Sequence, residues 1–413
     1  MKIFGNKWSE VREESEGLSY SMELQVVREG YDRKTEWFQP RVAVLPNGRL
    51  LLTAVKTALW GSDIFEGMWQ SISWDFGRSW SEFRHIKVFN VRMLPDGCKE
   101  AATVETGKLH KPTEKVLYFG STTWYYPGER GKVGRDTTHP RDVVYAYYDP
   151  AEDSWAEWRR LEIPDKDRHY WSMACCCDGL FLENGDILQP VYAMDRDSVG
   201  ENFWRGCFRT KVLRLRFDGE EVKYVEEGNE LSVKDPRGLY EASLTKFRGE
   251  YYLTLRNDLR GYVARSSDGL HFEKPVPWCF DDGSELGSYN TQQHWVTHSD
   301  GLFLVYTRRG ADNDYVIRHR APLFMAEVNP EKLCVLGDTE VVLVPNKGAQ
   351  LGNFGTVNVS PYETWVLTSE GMHGDAKNPM DVRLTESRGA NNRIYIVRIK
   401  WDRPNKIVEN YVT

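Results

Sequence analysis

The chain reads as all-β, one closed domain of six repeated units, a six-bladed β-propeller. Three observations predict this. Short strand-like runs recur with turn signals between them; the clearest case, residues 240–272, reads strand, turn, strand, turn, strand, turn, which is a meander and not a βαβ unit. Aromatic residues make up 13% of the 413 positions, with 15 Trp and 21 Tyr, an enrichment that favours strands. No window carries a long helical period. A meander of this length is one propeller blade.

Taken in order, residues 1–17 are charged and peripheral, and 20–29 is a lone strand placed to complete the last blade. The six units are 39–80, 99–158, 170–225, 240–278, 289–335 and 352–401. Pro46-Asn47-Gly48, Glu183-Asn184-Gly185-Asp186, Arg248-Gly249 and Ser299-Asp300-Gly301 supply hairpin turns, with Gly and Asn at the positions that need positive φ. Unit two carries an insertion at 122–142 rich in Gly, Arg and Tyr, and unit six a polar one at 373–392. Insertions of this kind tend to shape a binding face. No linker or low-complexity tract divides the chain, so the domain spans 1–413.

The net charge of −7 argues against a nucleic-acid partner. No apolar run reaches the length of a membrane span, and 1–17 lacks the apolar core of a signal peptide, so a cytoplasmic location is expected. Seven cysteines, three of them consecutive at 175–177, are expected to be reduced and buried in a strand. No CxxC pair suggests zinc; no metal and no cofactor are expected.

Two segments carry a tighter signal. Residues 73–80 fit S-x-D-x-G-x-x-W, and Ser266-Ser267-Asp268-Gly269-Leu270-His271-Phe272 is a shortened relative. In such turns the Asp accepts backbone N–H groups, Gly takes the left-handed conformation and an aromatic packs beneath. This resembles the Asp-box of the sialidase (neuraminidase) superfamily of six-bladed propellers, and the resemblance runs from residue 39 to 401. It implies a fold, with Asp75 and Asp268 structural. It also implies site residues. Gln39-Pro40-Arg41-Val42 is similar to the segment whose arginine binds the substrate carboxylate, although Pro40 precedes the arginine instead of following it. Tyr240-Glu241-Ala242-Ser243 followed by Leu255-Arg256-Asn257 resembles the pairing of a buried glutamate with a second carboxylate-binding arginine. His319-Arg320-Ala321-Pro322-Leu323 resembles the strand of the third arginine, with Arg318 competing. Glu370 stands where a glutamate orients the first arginine, and Asp63 where the acid/base aspartate lies. Converging arginines suit a carboxylate, and Asp63 would protonate the leaving oxygen.

One departure is decisive for mechanism. The superfamily's tyrosine nucleophile falls at Phe354 of Leu351-Gly352-Asn353-Phe354. Either the register is shifted and Tyr289 or another tyrosine reaches the site, or the enzyme inverts with Glu241 activating water, or the chemistry has changed or been lost. Gln293 and His294 open unit five and so are placed to face the central funnel; His294 is a candidate acid/base against a structural hydrogen-bonding role. Trp124, Trp171, Tyr125, Tyr126, His139 and Arg141 each have a sugar-contact reading beside a packing or solvent one, and the latter is preferred; Glu100 either faces the funnel or caps a strand end, and the Arg308-Arg309 pair is read as a solvated pair at a loop start in preference to a replacement for one of the three arginines. The expected function is exo-acting hydrolysis of a glycoside or oligosaccharide bearing a terminal acidic sugar. The rivals are a uronate-directed lyase using His294 or a tyrosine as base, and a non-catalytic carbohydrate-binding propeller.

Overall fold

The computed structural model describes residues 11–13, 18–58, 63–128, 132–199, 207–374, 377–378 and 381–408. The described strands form six hydrogen-bonded sheets, taken up one after another along the chain. The first comprises Thr35–Val44, Leu50–Ala58, Phe65–Ser73 and Arg84–His85. The second is built on Lys99–His110, Lys115–Tyr126 and Val143–Asp149. The third uses Trp171–Met173, Asp186–Met194, Cys207–Phe217 and Val222–Glu227. The fourth runs Tyr240–Phe247, Glu250–Arg256, Tyr262–Ser266 and Val276–Pro277. The fifth contains His294–Thr297, Leu302–Tyr306 and Leu323–Asn329. The sixth holds Gly355–Ser360, Glu363–Ser369 and Ile394–Trp401. Each sheet packs on the next, and the sixth packs back on the first, giving a β-propeller arrangement.

The ring is closed by chain ends that are distant in sequence. Ser19–Arg28 lies antiparallel to Ile394–Trp401, from Tyr20 opposite Trp401 to Arg28 opposite Ile394. This covers an edge that would otherwise present unpaired backbone groups. Between sheets the cores are apolar: Leu51, Val104, Tyr118 and Val144 join the first and second, and Tyr20, Phe303, Val397 and Trp401 the fifth and sixth.

Two turns knit the rim. Asp75 accepts from the Ser79 N–H at 2.8 Å and the Ser79 hydroxyl at 2.5 Å, while the Gly77 N–H donates to Ser73 Oγ at 2.7 Å. Asp268 accepts from the N–H groups of Leu270 and His271 at 2.8 and 2.7 Å. Both glycines are left-handed, with φ of 75° at Gly77 and 79° at Gly269. These donors hold both carboxyls below the ordinary Asp range against the opposing effect of burial. Neither turn touches the central cavity.

The cysteines differ from expectation. Cys175 and Cys176 lie just beyond the Trp171–Met173 strand, not inside one, and both line the cavity. The six cysteines whose side chains are described are free thiols. Residues 61 and 62, read as part of the first loop, lie outside the described residues, as do 129–131 of the first insertion and 375–376 and 379–380 of the second.

Candidate functional site

A cavity of about 390 Å³ opens at the centre of the ring. Its wall is set by a recurring backbone feature. In the first sheet the pairing register shifts between Phe38 and Arg41, with Gln39 at φ 51°. In the fourth it shifts between Tyr240 and Ser243, with Glu241 at φ 45°. In the third, Cys176 stands at φ 57°. A strand alternates its side chains between faces, whereas a bulge lets two consecutive residues turn the same way. Accordingly Phe38 with Gln39, Cys175 with Cys176, and Tyr240 with Glu241 all reach the cavity. Left-handed conformations in non-glycine residues cost on the order of 1 kcal/mol each and cluster where a site demands them.

The same bulge explains where Arg41 goes. It turns beneath the wall, buried, with Nη2 3.0 Å from Glu105 Oε2 and Nη1 donating to the Pro40 carbonyl. The backbone of Gly355 presses on it, since a Cβ there would lie 2.6 Å from Arg41 Cδ. Arg41 is absent from the lining. Expected as the first carboxylate-binding arginine, it is instead half of a buried ion pair. Glu370 does not orient it either: that carboxylate accepts from the Tyr395 hydroxyl at 2.6 Å and the Asn391 N–H at 2.7 Å, and lies 3.2 Å from Arg393 Nη1.

The guanidinium groups that do line the cavity are Arg256, Arg318 and Arg320 from the fourth and fifth sheets, and Arg135, Arg141 and Arg237 from the second sheet's insertion and the third sheet. Arg256 meets Glu241 at 2.5 Å, donates to Asn290 Oδ1 at 2.7 Å and lies 4.7 Å over the Tyr240 ring. Burial works against its charge, but Glu241 holds it above the ordinary arginine value. Arg320 finds only neutral acceptors, the Asn290 carbonyl and Gln350 Oε1. Burial, then Arg318 and Arg256, pushes it well below its ordinary value. Among the described residues Arg318 makes no hydrogen bond or ion pair, and burial with the Arg256 charge lowers it too. Both Arg318 and Arg320 of the competing pair are therefore present. Neither is on a strand: 317–319 is a 3-10 turn with Arg318 at φ 55°, and pairing resumes at Leu323 beyond Pro322, whose missing N–H cannot join a ladder.

Three carboxyl groups share the wall: Glu36, Asp63 and Glu241. Asp63 is solvent-exposed, sits at φ 65° and is fixed through its carbonyl, which accepts from the Tyr125 hydroxyl at 2.8 Å. Glu36 lies outside the six units expected from sequence, in the Thr35–Val44 strand. It is 3% exposed, accepts from the Met372 N–H at 2.6 Å and faces His373 Nδ1 at 3.8 Å. Burial pushes it up to about 7, so half of it carries a proton at neutral pH. Burial, with Arg320 and Arg318, takes His373 down to about 4, so it faces Glu36 as a neutral imidazole.

Several predicted contacts lie elsewhere. Phe354 is fully buried, packed edge-on against His294 with centroids 5.4 Å apart; its neighbour Asn353 lines the cavity in its place. His294 is equally buried and burial drives it well below its ordinary value; it is neither wall nor acid/base. Gln293 bonds Ser288 Oγ at 2.7 Å and Thr254 Oγ1 at 3.0 Å, which is scaffold. Tyr289 donates to or accepts from His319 and does not line the cavity. Arg308 is clamped by Glu340 at 2.6 and 2.8 Å, and Trp124 and Trp171 are core. The tyrosines on the wall are Tyr192 and Tyr240. Tyr192 contacts Cys175 Sγ at 2.8 Å, Tyr240 bonds Asp258, and burial pushes both phenols up. Neither is poised as a phenolate nucleophile. Among the described residues, a gathered set of metal-donor side chains occurs at Asp96, Cys98 and His139, outside the cavity lining.

No family model and no curated protein sequence matches the chain. Solved structures do. A protein of unknown function from Dyadobacter fermentans aligns with TM-score 0.56 at 17% identity, over 91% of this chain and 99% of its own. A Hadza microbial sialidase aligns at 0.57 and 12% identity, over 94% and 69%. Trypanosoma rangeli sialidase in complex with sialic acid aligns at 0.55 and 14% identity, over 97% of this chain but 58% of that longer protein. At these identities the likeness speaks for architecture: the fold is a sialidase-like β-propeller.

Proposed function

We propose that the protein is an exo-acting glycosidase that binds a terminal acidic sugar through Arg256, Arg318 and Arg320 and hydrolyses its glycosidic bond without a tyrosine nucleophile. The observation that carries the reading is the set of three guanidiniums on one wall, of which, among the described residues, Arg318 has no hydrogen-bond or ion-pair partner and Arg320 hydrogen-bonds only neutral ones. Cations so placed repel one another, and a carboxylate accepting from them relieves that repulsion by charge-assisted, partly bidentate bonds. Sialidase-like architecture, with one such neighbour holding sialic acid, supports an acidic sugar over a neutral one.

In this reading Asp63 gives its proton to the leaving oxygen as the C–O bond breaks. Glu241, oriented by Arg256 at 2.5 Å, takes a proton from the water whose oxygen attacks the anomeric carbon. The products are the free acidic sugar and the alcohol. Because Tyr192 and Tyr240 are both engaged and pushed up, the attacking group is water and the product is inverted. The lyase alternative is less favoured, since His294 does not line the cavity and the tyrosines that do, Tyr192 and Tyr240, are hydrogen-bonded and pushed up by burial. A binding-only propeller stays open because no activated nucleophile lines the wall. Asp63→Asn and Glu241→Gln separate the two: a hydrolase retains acidic-sugar binding in calorimetry but loses turnover, whereas a pure binder shows no turnover in the unmodified protein.

A further inference from the structure

Away from the cavity, the turn before Lys99–His110 and the second sheet's insertion bring three unlike donor groups together. The turn is tight: the Leu94 N–H donates to the Cys98 carbonyl at 2.8 Å, and the Gly97 N–H to the Leu94 carbonyl at 3.0 Å, with Gly97 at φ 86°. Asp96 Oδ1 accepts from the Cys98 N–H at 3.0 Å, which turns the Asp96 carboxylate and the Cys98 thiol to one side. The insertion delivers His139, whose Nε2 lies 2.8 Å from Asp96 Oδ2. Its ring is held edge-on to Trp124, centroids 5.2 Å apart. One donor atom from each residue lies within 4.8 Å of the other two.

We propose that Asp96, Cys98 and His139 bind a zinc ion that pins the insertion to the second sheet. Thiolate, imidazole and carboxylate together form the borderline-soft donor set that zinc prefers. With zinc–sulfur near 2.3 Å and zinc–nitrogen about 2.0–2.1 Å, donors on a tetrahedral ion lie roughly 3.3–3.8 Å apart. Exposed Asp96 and partly exposed His139, now 2.8 Å apart, would part by about half an ångström and close on buried Cys98 to meet that requirement. Consecutive CxxC pairs, the pattern sequence reading looks for, are unnecessary when a loop 40 or so positions on supplies the third ligand. The consequence reaches the cavity, since the same insertion carries Arg135 and Arg141 to its wall.

The test uses the full chain, loaded with zinc, passed over a weak chelating resin and assayed by plasma mass spectrometry, then repeated with cobalt. About one zinc per chain should remain, and cobalt should show a thiolate-to-metal charge-transfer band. Cys98→Ser should abolish the band, and His139→Gln, at a partly exposed position, should release the zinc. Zinc retention no greater than that of His139→Gln, or a cobalt spectrum without the thiolate band, would overturn the proposal and leave Asp96–His139 as a plain hydrogen-bonded pair.

Discussion

At the scale of single residues, the proposed acidic-sugar recognition rests on Arg318 and Arg320, which have no carboxylate partner among the described residues. A hydrogen bond to a charged group contributes about 1.5–3 kcal/mol, so Arg318→Ala or Arg320→Ala should weaken acidic-sugar binding roughly 10- to 100-fold in calorimetry. Arg41→Ala should instead act on stability, because it leaves Glu105 buried and unpaired, a defect of roughly 3–5 kcal/mol. Glu36 predicts a pH effect. Its folded value near 7 exceeds the ordinary 4.5, so the native state holds the extra proton between these values. Its contribution is full below pH 4.5 and is lost as pH rises through 7. Urea unfolding should therefore show the unmodified protein losing on the order of 1–3 kcal/mol more than Glu36→Gln between pH 5 and pH 8. Arg256, Glu241, Asp63 and the 318/320 pair were legible in the sequence because their neighbours form recognisable patterns. Glu36 was not: what sets it apart is burial against Met372 and His373, which are contributed by the far end of the chain.

At the scale of elements, strand alternation is readable from sequence, and bulges are not. Alternation alone sends Tyr240 and Glu241 to opposite faces and leaves Arg41 facing the funnel; the left-handed residues at Gln39 and Glu241 reverse both outcomes. The one-position choice between Asn353 and Phe354 is the same problem, since a slip of one residue exchanges wall for core. The turns, by contrast, announce themselves through Ser, Asp and Gly. Gly77 is left-handed, and a Cβ there would lie 2.4 Å from the Trp365 ring. Gly77→Ala should cost about 2–4 kcal/mol and lower the thermal midpoint by several degrees, with ligand affinity unchanged because the turn lies off the cavity.

At the scale of the whole molecule, a propeller leaves only short outer edges, and closure here depends on Ser19–Arg28 pairing with the last strand. Removing residues 1–28 should expose the Ile394–Trp401 edge and turn cooperative unfolding into aggregation, measurable by light scattering on heating. Closure also concentrates charge, because bulges in several sheets aim side chains at one axis. Among the described residues six guanidiniums and three carboxyls then share about 390 Å³, and in the proposed function that excess of positive charge selects an anionic ligand. The measurement that tests this most directly is proton NMR of the anomeric region while the protein acts on matched aryl glycosides of acidic and neutral sugars. The account predicts release of the acidic sugar with inverted configuration and no action on the neutral one. Retention would contradict direct attack by water and make a wall carboxylate such as Glu241 the nucleophile, and preference for a neutral sugar would contradict the arginine cluster as the recognition element.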